Sequence, residues 1–393
     1  MKRFMALLSC AALGLAACAP KDEVKLLPAE AFETSIDGAQ TSLYTIKGDK
    51  ITVQITNFGA RIVSIWAPDR KGRMGDVAVG YENIDRYINF QGERFMGPVV
   101  GPVANRIGGA SFELDGETYS LPDNDHGNTL HGGLTGVDRL VWTVTAHSEN
   151  SVEMTVRHPD GLEGFPGNLD ITARFSICDC DALKIEYSAV TDKATPVNLS
   201  CHAFFNLTGD CSKSILGHEL KLWSEHTTAI DNLLIPTGEI CPVEGTPFDF
   251  REAKAIGERV DADNEQLRNG NGYDHNWCID LPAEKAHCCK GHEGHEGHAC
   301  CAAGLHPVAE ICDPESGRSI LVISDQPGFQ FYCGNFFDGG VSDKYGHPIN
   351  FRSAFVLETQ KYPDAVHQAG FPSIILQPGE TYSQTCVFKF GTK

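Results

Sequence analysis

Strict period-two alternation of apolar and polar side chains recurs along this chain. Ile51, Val53 and Ile55 alternate with Thr52, Gln54 and Thr56, and Val152, Met154 and Val156 alternate with Ser151, Glu153 and Thr155. Successive side chains of a β-strand point to opposite faces, so the pattern predicts half-buried strands. Further strand-like runs occupy residues 61–67, 184–190, 319–324, 351–357 and 385–390. Turn-forming pairs separate them, among them Asp115-Gly116, the repeated Asn269-Gly270-Asn271-Gly272, and Pro378-Gly379. No segment shows an amphipathic helix of three or more turns. Alternation without interleaved helices predicts an all-β fold, a sandwich of large antiparallel sheets. From residue 36 to residue 393 the chain reads as one domain with a single interruption at 283–305, AEKAHCCKGHEGHEGHACCAAGL. That low-complexity stretch lies between strand-like residues 276–281 and 308–312, as expected of an insertion in a hairpin loop.

Composition narrows the class. A chain of 393 residues with 41% hydrophobic and 21% charged residues can bury a sizeable core and is neither disordered nor a multi-span membrane protein. The formal net charge of −20, with no compensating basic run, argues against nucleic-acid binding. The N-terminus reads as a targeting segment. Lys2 and Arg3 precede a short apolar stretch ending in Leu15-Ala16-Ala17-Cys18, which resembles the lipobox of bacterial lipoproteins. On that reading residues 1–17 are a signal peptide, Cys18 is acylated and residues 18–35 are a tether. The protein is then held on a membrane of the bacterial cell envelope. The plainer alternative is a cleaved secretory signal with a neighbouring cysteine. Lys21-Asp22-Glu23 resembles the charged run that exports some lipoproteins to the cell surface. With Cys10 removed and Cys18 lipidated, an odd number of the 15 cysteines remains, without the even spacing of a disulfide framework.

Four polar clusters stand in apolar or glycine-rich surroundings. Asn105-Arg106 follows a smooth apolar and glycine run, and Arg106 suits either a core ion pair or a forked donor to a ligand. His131 precedes Gly132-Gly133, which places the imidazole at a loop tip. His202 lies in a strand-like stretch beside Phe204 and Phe205, where a satisfied core histidine and a tuned general acid are both open. Glu358 closes an apolar run as either a strand-end carboxylate or a base at a pocket mouth. Asp274 and Gln330 are lesser candidates. Each cluster alone has a structural explanation.

Together and in order, these segments resemble the aldose 1-epimerase family. The resemblance rests on Asn57-Phe-Gly-Ala-Arg-Ile, Gly101-Pro-Val-Ala-Asn-Arg-Ile, Asn128-Thr-Leu-His-Gly-Gly, Gly136-Val-Asp with Trp142, and Pro196-Val-Asn-Leu-Ser-Cys-His-Ala-Phe-Phe-Asn-Leu-Thr-Gly. It continues through Gly272-Tyr-Asp-His-Asn, Gly317-Arg, Pro327-Gly-Phe-Gln-Phe-Tyr-Cys-Gly-Asn, Leu357-Glu-Thr-Gln and Leu376-Gln-Pro-Gly-Glu. It implies a galactose-mutarotase-like β-supersandwich with a free aldose bound on a concave face. It also implies Glu358 as general base, His202 as general acid and His131 as a second active-site histidine near the ring oxygen. Asn105, Arg106, Asp274 and Gln330 match the family's sugar-hydroxyl contacts. The implied reaction opens and closes a cyclic hemiacetal by proton transfer and requires no cofactor. Unperturbed values of about 4.3 for Glu and 6.5 for His would suit base and acid near pH 7 without large shifts. Pro102 stands where the family's version carries a basic residue, and Cys201 and Ala203 flank His202 where relatives more often carry polar or aromatic residues. These departures bear on sugar preference.

The interruption carries its own chemistry. His287, Cys288, Cys289, His292, His295, His298, Cys300 and Cys301 combine thiolate and imidazole donors that suit Zn, Cu or Ni. The spacing matches no structural zinc finger, and an adventitious or disulfide-paired surface loop is the bland alternative. Any metal there is expected to be structural, scavenging or regulatory. Two rival readings of the whole chain are a non-catalytic sugar-binding module and a metal-binding envelope lipoprotein on the same fold. A sugar-phosphate epimerase would call for extra basic residues near the pocket.

Overall fold

The computed structural model describes residues 24–90, 92–178, 180–279 and 304–393. Among them the fold is nearly all β, as the alternation predicts, and the two α-helices, Ile84–Ile88 and Glu265–Asn269, have five residues each. Asn83 and Asn264 cap these helices by accepting backbone N–H groups of the first turn.

The largest sheet has nine strands, all antiparallel. From one edge they run Thr143–His147, Ser151–His158, Leu169–Ile177, Ala182–Thr191, Tyr382–Thr392, Arg318–Ser324, His306–Cys312, Glu219–Leu222 and Lys254–Ala255. Burial alternates along Leu169–Ile177, with Leu169, Ile171, Ala173, Phe175 and Ile177 turned to the core. This is the pattern of a sheet with one wet face. A second sheet of six strands runs Phe204–Phe205, Phe355–Gln360, Gly328–Tyr332, Asp274–Cys278, His226–Ile230 and Pro236–Pro242. Its central strands are buried along their whole length. Trp277, Phe329, Phe331, Phe355 and Leu357 enter the main core, while Asp274, Gln330 and Glu358 occupy the alternate positions. A four-stranded sheet, Leu43–Lys47 to Met74–Asp76, adds Ile46, Val53, Ile55, Ile62 and Ile65 to the same core.

One local expectation holds and three change. Asp115-Gly116, both at positive φ, forms the two-residue turn between Ser111–Leu114 and Glu117–Ser120, as their sequence predicts. The run at 351–357 becomes a strand only from Phe355 onward. The interrupted pair is no hairpin: Asp274–Cys278 belongs to the six-stranded sheet and His306–Cys312 to the nine-stranded one. Periodicity identifies strands but carries no information on which sheet each joins. The fold also begins earlier than the tether reading allows. Leu27 exchanges hydrogen bonds with the Gln54 side chain through its N–H (2.9 Å) and C=O (3.0 Å), and Phe32 is fully buried near Tyr87.

Candidate active site

Glu358 and Gln330 sit directly opposite each other in adjacent antiparallel strands. Asp274 lies one strand further over, paired with Tyr332, so Gln330 is its diagonal neighbour on the same face. Gln330 Nε2 donates to Asp274 Oδ1 at 2.6 Å. On the other side of Glu358, Phe204 pairs with Val356 and Phe205 with Phe355. Extending that register by two residues brings His202 opposite Glu358. Their Nε2 and Oε2 atoms are 4.0 Å apart, and both side chains are buried. Backbone bonds from His202 N–H to Pro98 C=O (2.8 Å) and from Gly97 N–H to His202 C=O (3.0 Å) hold the histidine.

His131 and Asn105 lie in the left-handed region, at φ 51° and 61°. His131 N–H donates to Asn105 C=O (2.9 Å), and His131 Nδ1 accepts the Asn105 N–H (3.0 Å). An accepting Nδ1 in a neutral ring leaves the proton on Nε2, so His131 is set as a donor at that nitrogen. The tight approach here needs Gly132: a Cβ at that position would lie 2.1 Å from Gly101 O. The rings of His131 and His202 meet edge to face, with centroids 4.9 Å apart, and Phe95 packs against His131 at 4.6 Å. Arg106 Nε donates to Asp125 Oδ2 at 2.6 Å.

These groups surround a cleft of about 210 Å³, lined by Glu358, His202, His131, Asn105, Arg106 and Asp274 among others. Six of the seven site residues read from sequence thus share one cavity. Gln330 is absent from the lining and touches Asp274 instead. Pro102 is absent from the lining as well. Glu93, Phe95, Leu130, Tyr332 and Phe336 complete the wall; Leu130 and Tyr332 lie in motifs that carry the family resemblance, whereas Glu93, Phe95 and Phe336 stand outside them. A larger cleft of about 670 Å³ lies against the nine-stranded sheet, but its Arg157 and Asp170 are bound to each other by two bonds of 2.7 Å. The smaller cleft gathers His131 and His202 with the carboxyl groups of Glu93, Asp274 and Glu358.

Burial controls the electrostatics. It raises the Glu358 carboxyl well above the usual carboxylate range, with Asp274 adding to the rise and Arg106 opposing it. It lowers the His202 imidazole to about 4 and holds His131 well below its ordinary value. Asp274 and Glu93 are likewise raised by burial. The expectation of an ionised Glu and a partly protonated His at unperturbed values is therefore overturned, because both groups have lost their solvent. Glu358 Oε1, His202 Nδ1 and Gln330 Oε1 are buried without a protein hydrogen-bond partner, which favours a guest rich in hydroxyl groups. One ligand atom each of His131, His202 and Glu358 lies within 4.8 Å of the others, close enough to chelate a divalent cation. His287, Cys288, Cys289, His292, His295, His298, Cys300, Cys301 and the lipidation candidate Cys18 lie outside the described residues.

The family profile of aldose 1-epimerase matches residues 42–389. The chain is 39% identical to the galactose mutarotase of Bos taurus over 347 residues, which is 88% of this chain and 93% of the relative. It is 38% identical to the Homo sapiens galactose mutarotase over 90% of this chain and 95% of that protein. The aldose 1-epimerase of Escherichia coli (strain K12) is 29% identical over 90% and 96% of the two chains. Among solved structures, a GalM/aldose epimerase homologue from C. elegans superposes with a TM-score of 0.77 at 25% identity, covering 90% of this chain and 99% of that one. A galactose 1-epimerase from Lactobacillus acidophilus superposes at 0.75 and 25% identity, covering 91% and 97%. This chain belongs to the aldose 1-epimerase family.

Proposed function

We propose that this enzyme interconverts the α and β anomers of a free aldohexose such as galactose or glucose, with Glu358 and His202 as the proton-transfer pair. The observation that carries the reading is their placement: two buried titratable groups, 4.0 Å apart, on the wall of a cleft small enough for one monosaccharide. Ring opening takes the proton from the hemiacetal O1 and places one on the ring oxygen O5, which breaks the C1–O5 bond and leaves an open-chain aldehyde. Rotation about C1–C2 exposes the other face, and closure reverses both transfers. In the ionised form of the pair, the Glu358 carboxylate takes the O1 proton as the His202 imidazolium donates to O5. The pair then stands as neutral carboxyl and neutral imidazole, the form that burial favours. The pair holds one proton before and after, so one sugar bond breaks with no change in the net charge of the two groups. His131, donating through Nε2, would sit beside the ring oxygen. Asn105, Arg106 and Asp274 would fix the remaining hydroxyls, with Gln330 holding Asp274 in place. The carboxyls of Glu93, Asp274 and Glu358 around one small cleft favour a neutral sugar over a phosphorylated one.

Polarimetry of freshly dissolved α-D-galactose and α-D-glucose tests this. The expected result is rotation relaxing far faster than in buffer, insensitive to chelator. Relaxation at the buffer rate across a wider aldose panel would leave a sugar-binding or metal-handling protein instead.

We further infer that the enzyme is lipid-anchored in the cell envelope, a reading supported by Lys2-Arg3, the apolar stretch after them and Leu15-Ala16-Ala17-Cys18. Mass spectrometry of the N-terminal peptide should show acylated Cys18 as the first residue. An unmodified Cys18 in a protein from membranes would overturn the anchor.

A further inference from the structure

Two loops meet outside the active site. One follows Phe204–Phe205, the strand that comes just after His202, and the other precedes Phe355–Gln360, the strand that carries Glu358. Where they meet, Cys211 Sγ, a carboxylate oxygen of Asp343 and a ring nitrogen of His347 all lie within 4.8 Å of one another. Cys211 is an unoxidised thiol with 2% of its surface exposed, and Asp343 is 6% exposed. The His347 ring is partly exposed, but its Nδ1 atom is sealed from solvent and makes no hydrogen bond. That nitrogen is 3.4 Å from Asp343 Oδ2 and 3.7 Å from Asp210 Oδ1.

The carboxylates are already oriented. Asp343 Oδ1 accepts the backbone N–H groups of Tyr345 (2.8 Å) and His347 (2.9 Å), which leaves Oδ2 turned to the imidazole. Asp210 Oδ1 is held by the Ser212 N–H (3.0 Å) and hydroxyl (2.6 Å). Hydrogen bonds to ligating carboxylates are the usual outer support of a metal site. One sulfur, one imidazole nitrogen and one carboxylate oxygen lie together, with Asp210 Oδ1 3.7 Å from that nitrogen, and this mixed donor set is of the kind zinc takes at four-coordinate sites.

We propose that Cys211, Asp343 and His347, with Asp210 as fourth ligand, form a structural zinc site that fastens the segment following His202 to the segment preceding Glu358. Its ligands are other residues than the histidines and cysteines of 287–301, and none of them lines the sugar cleft. Its second loop begins close to Phe336 on the rim of the sugar cleft. Zinc binding displaces the Cys211 proton and adds a cross-link between parts of the chain far apart in sequence, so its effect is on stability rather than on turnover.

Crystals of the full chain grown with zinc in small micromolar excess would be measured at the zinc absorption edge. An anomalous peak is expected between Cys211 Sγ, Asp343 Oδ2 and His347 Nδ1, and it is expected to vanish in His347→Ala and in Cys211→Ser. His347 is partly exposed, so the first variant keeps its fold if the second does not. In solution, zinc should raise the Tm of the native chain by about 3 °C more than that of His347→Ala, with mutarotation rates within two-fold of each other. A structure with no density there leaves an imidazole–carboxylate contact and overturns the site. A peak seen only at millimolar zinc makes the ion adventitious and overturns it equally.

Discussion

Replacing Glu358 by Gln is expected to slow anomer interconversion about 10²–10⁴-fold, the range for loss of one positioned acid–base group, while KM stays within a few-fold of its native value. The amide keeps the volume and the hydrogen-bonding reach of the carboxyl but cannot take the O1 proton. The loss corresponds to roughly 3–5 kcal/mol of transition-state stabilisation. It should not be accompanied by unfolding. Burial raises the folded-state pKa of Glu358 above its unfolded value, so any stability this group contributes is fully present below the unfolded value and lost as pH rises through the folded one. Near neutrality the carboxyl is therefore a burden on the fold, and Gln removes it. The variant should melt at the native temperature or above it. Polarimetry and a thermal melt on the same sample decide the matter; a variant within ten-fold of native activity removes Glu358 from the proton transfer.

The same shifts predict the pH profile of the native enzyme. The Glu358–His202 pair works only while it holds one proton. It gains a second as His202 titrates, and burial has moved that event down to about 4 from the ordinary 6.5. It loses its only proton as Glu358 titrates, at a value moved upward. After subtraction of the buffer rate, kcat/KM should have its acid limb near 4 and stay flat above about pH 5 until Glu358 titrates. An acid limb near 6.5 would show that His202 titrates as a solvated imidazole and that burial does not set its protonation.

What could be read in advance follows from where the information lies. A strand with one wet face announces itself, as Leu169–Ile177 does, because each alternate residue reports its side of the sheet. The six-stranded sheet is harder, since both faces are buried and the polar face is the active site. Gln330 interrupts an apolar run, Glu358 closes one and Asp274 opens a polar strand, and residue type and motif mark all three. The proximity of His202 to Glu358 depends on the register of Phe204–Phe205 against Phe355–Gln360, which no local pattern encodes. Gln330 turns its amide nitrogen to Asp274 and keeps Oε1 without a protein partner, an orientation that its motif does not encode. That Asp274–Cys278 and His306–Cys312 join different sheets is hidden for the same reason. Protonation is not legible there, because charge and spacing are visible in a sequence whereas loss of solvent is not.

The largest stability effect is expected at a pair that nothing local in the sequence suggests. Lys344 and Asp76 form an ion pair of 2.8 Å with side chains 0% and 1% exposed. Lys344 Nζ also donates to the carbonyls of Ala78, at 2.9 Å, and of Val63. Asp76 Oδ1 accepts the N–H groups of Ile65 (2.9 Å) and Ala78 (3.2 Å), and its Oδ2 accepts the hydroxyls of Ser64 (2.7 Å) and Tyr345 (2.8 Å). Every polar atom of the pair is occupied, so the cost of desolvation is offset in the native fold. Lys344→Met keeps the aliphatic stem but leaves a buried carboxylate against its four donors with no cation. Removing one partner of a buried pair costs about 3–5 kcal/mol, whereas replacing both partners is often close to neutral. Denaturant unfolding should therefore show Lys344→Met losing about that much. Lys344→Met combined with Asp76→Asn should recover part of it, because the amide oxygen still accepts the N–H groups of Ile65 and Ala78. The cleft is built from other strands, so turnover well below the melting temperature should stay native. A loss under about 1 kcal/mol for Lys344→Met, the scale of an exposed pair, would mean that water reaches Asp76 and that the pair does not organise the junction between the four-stranded sheet and the loop before Phe355–Gln360.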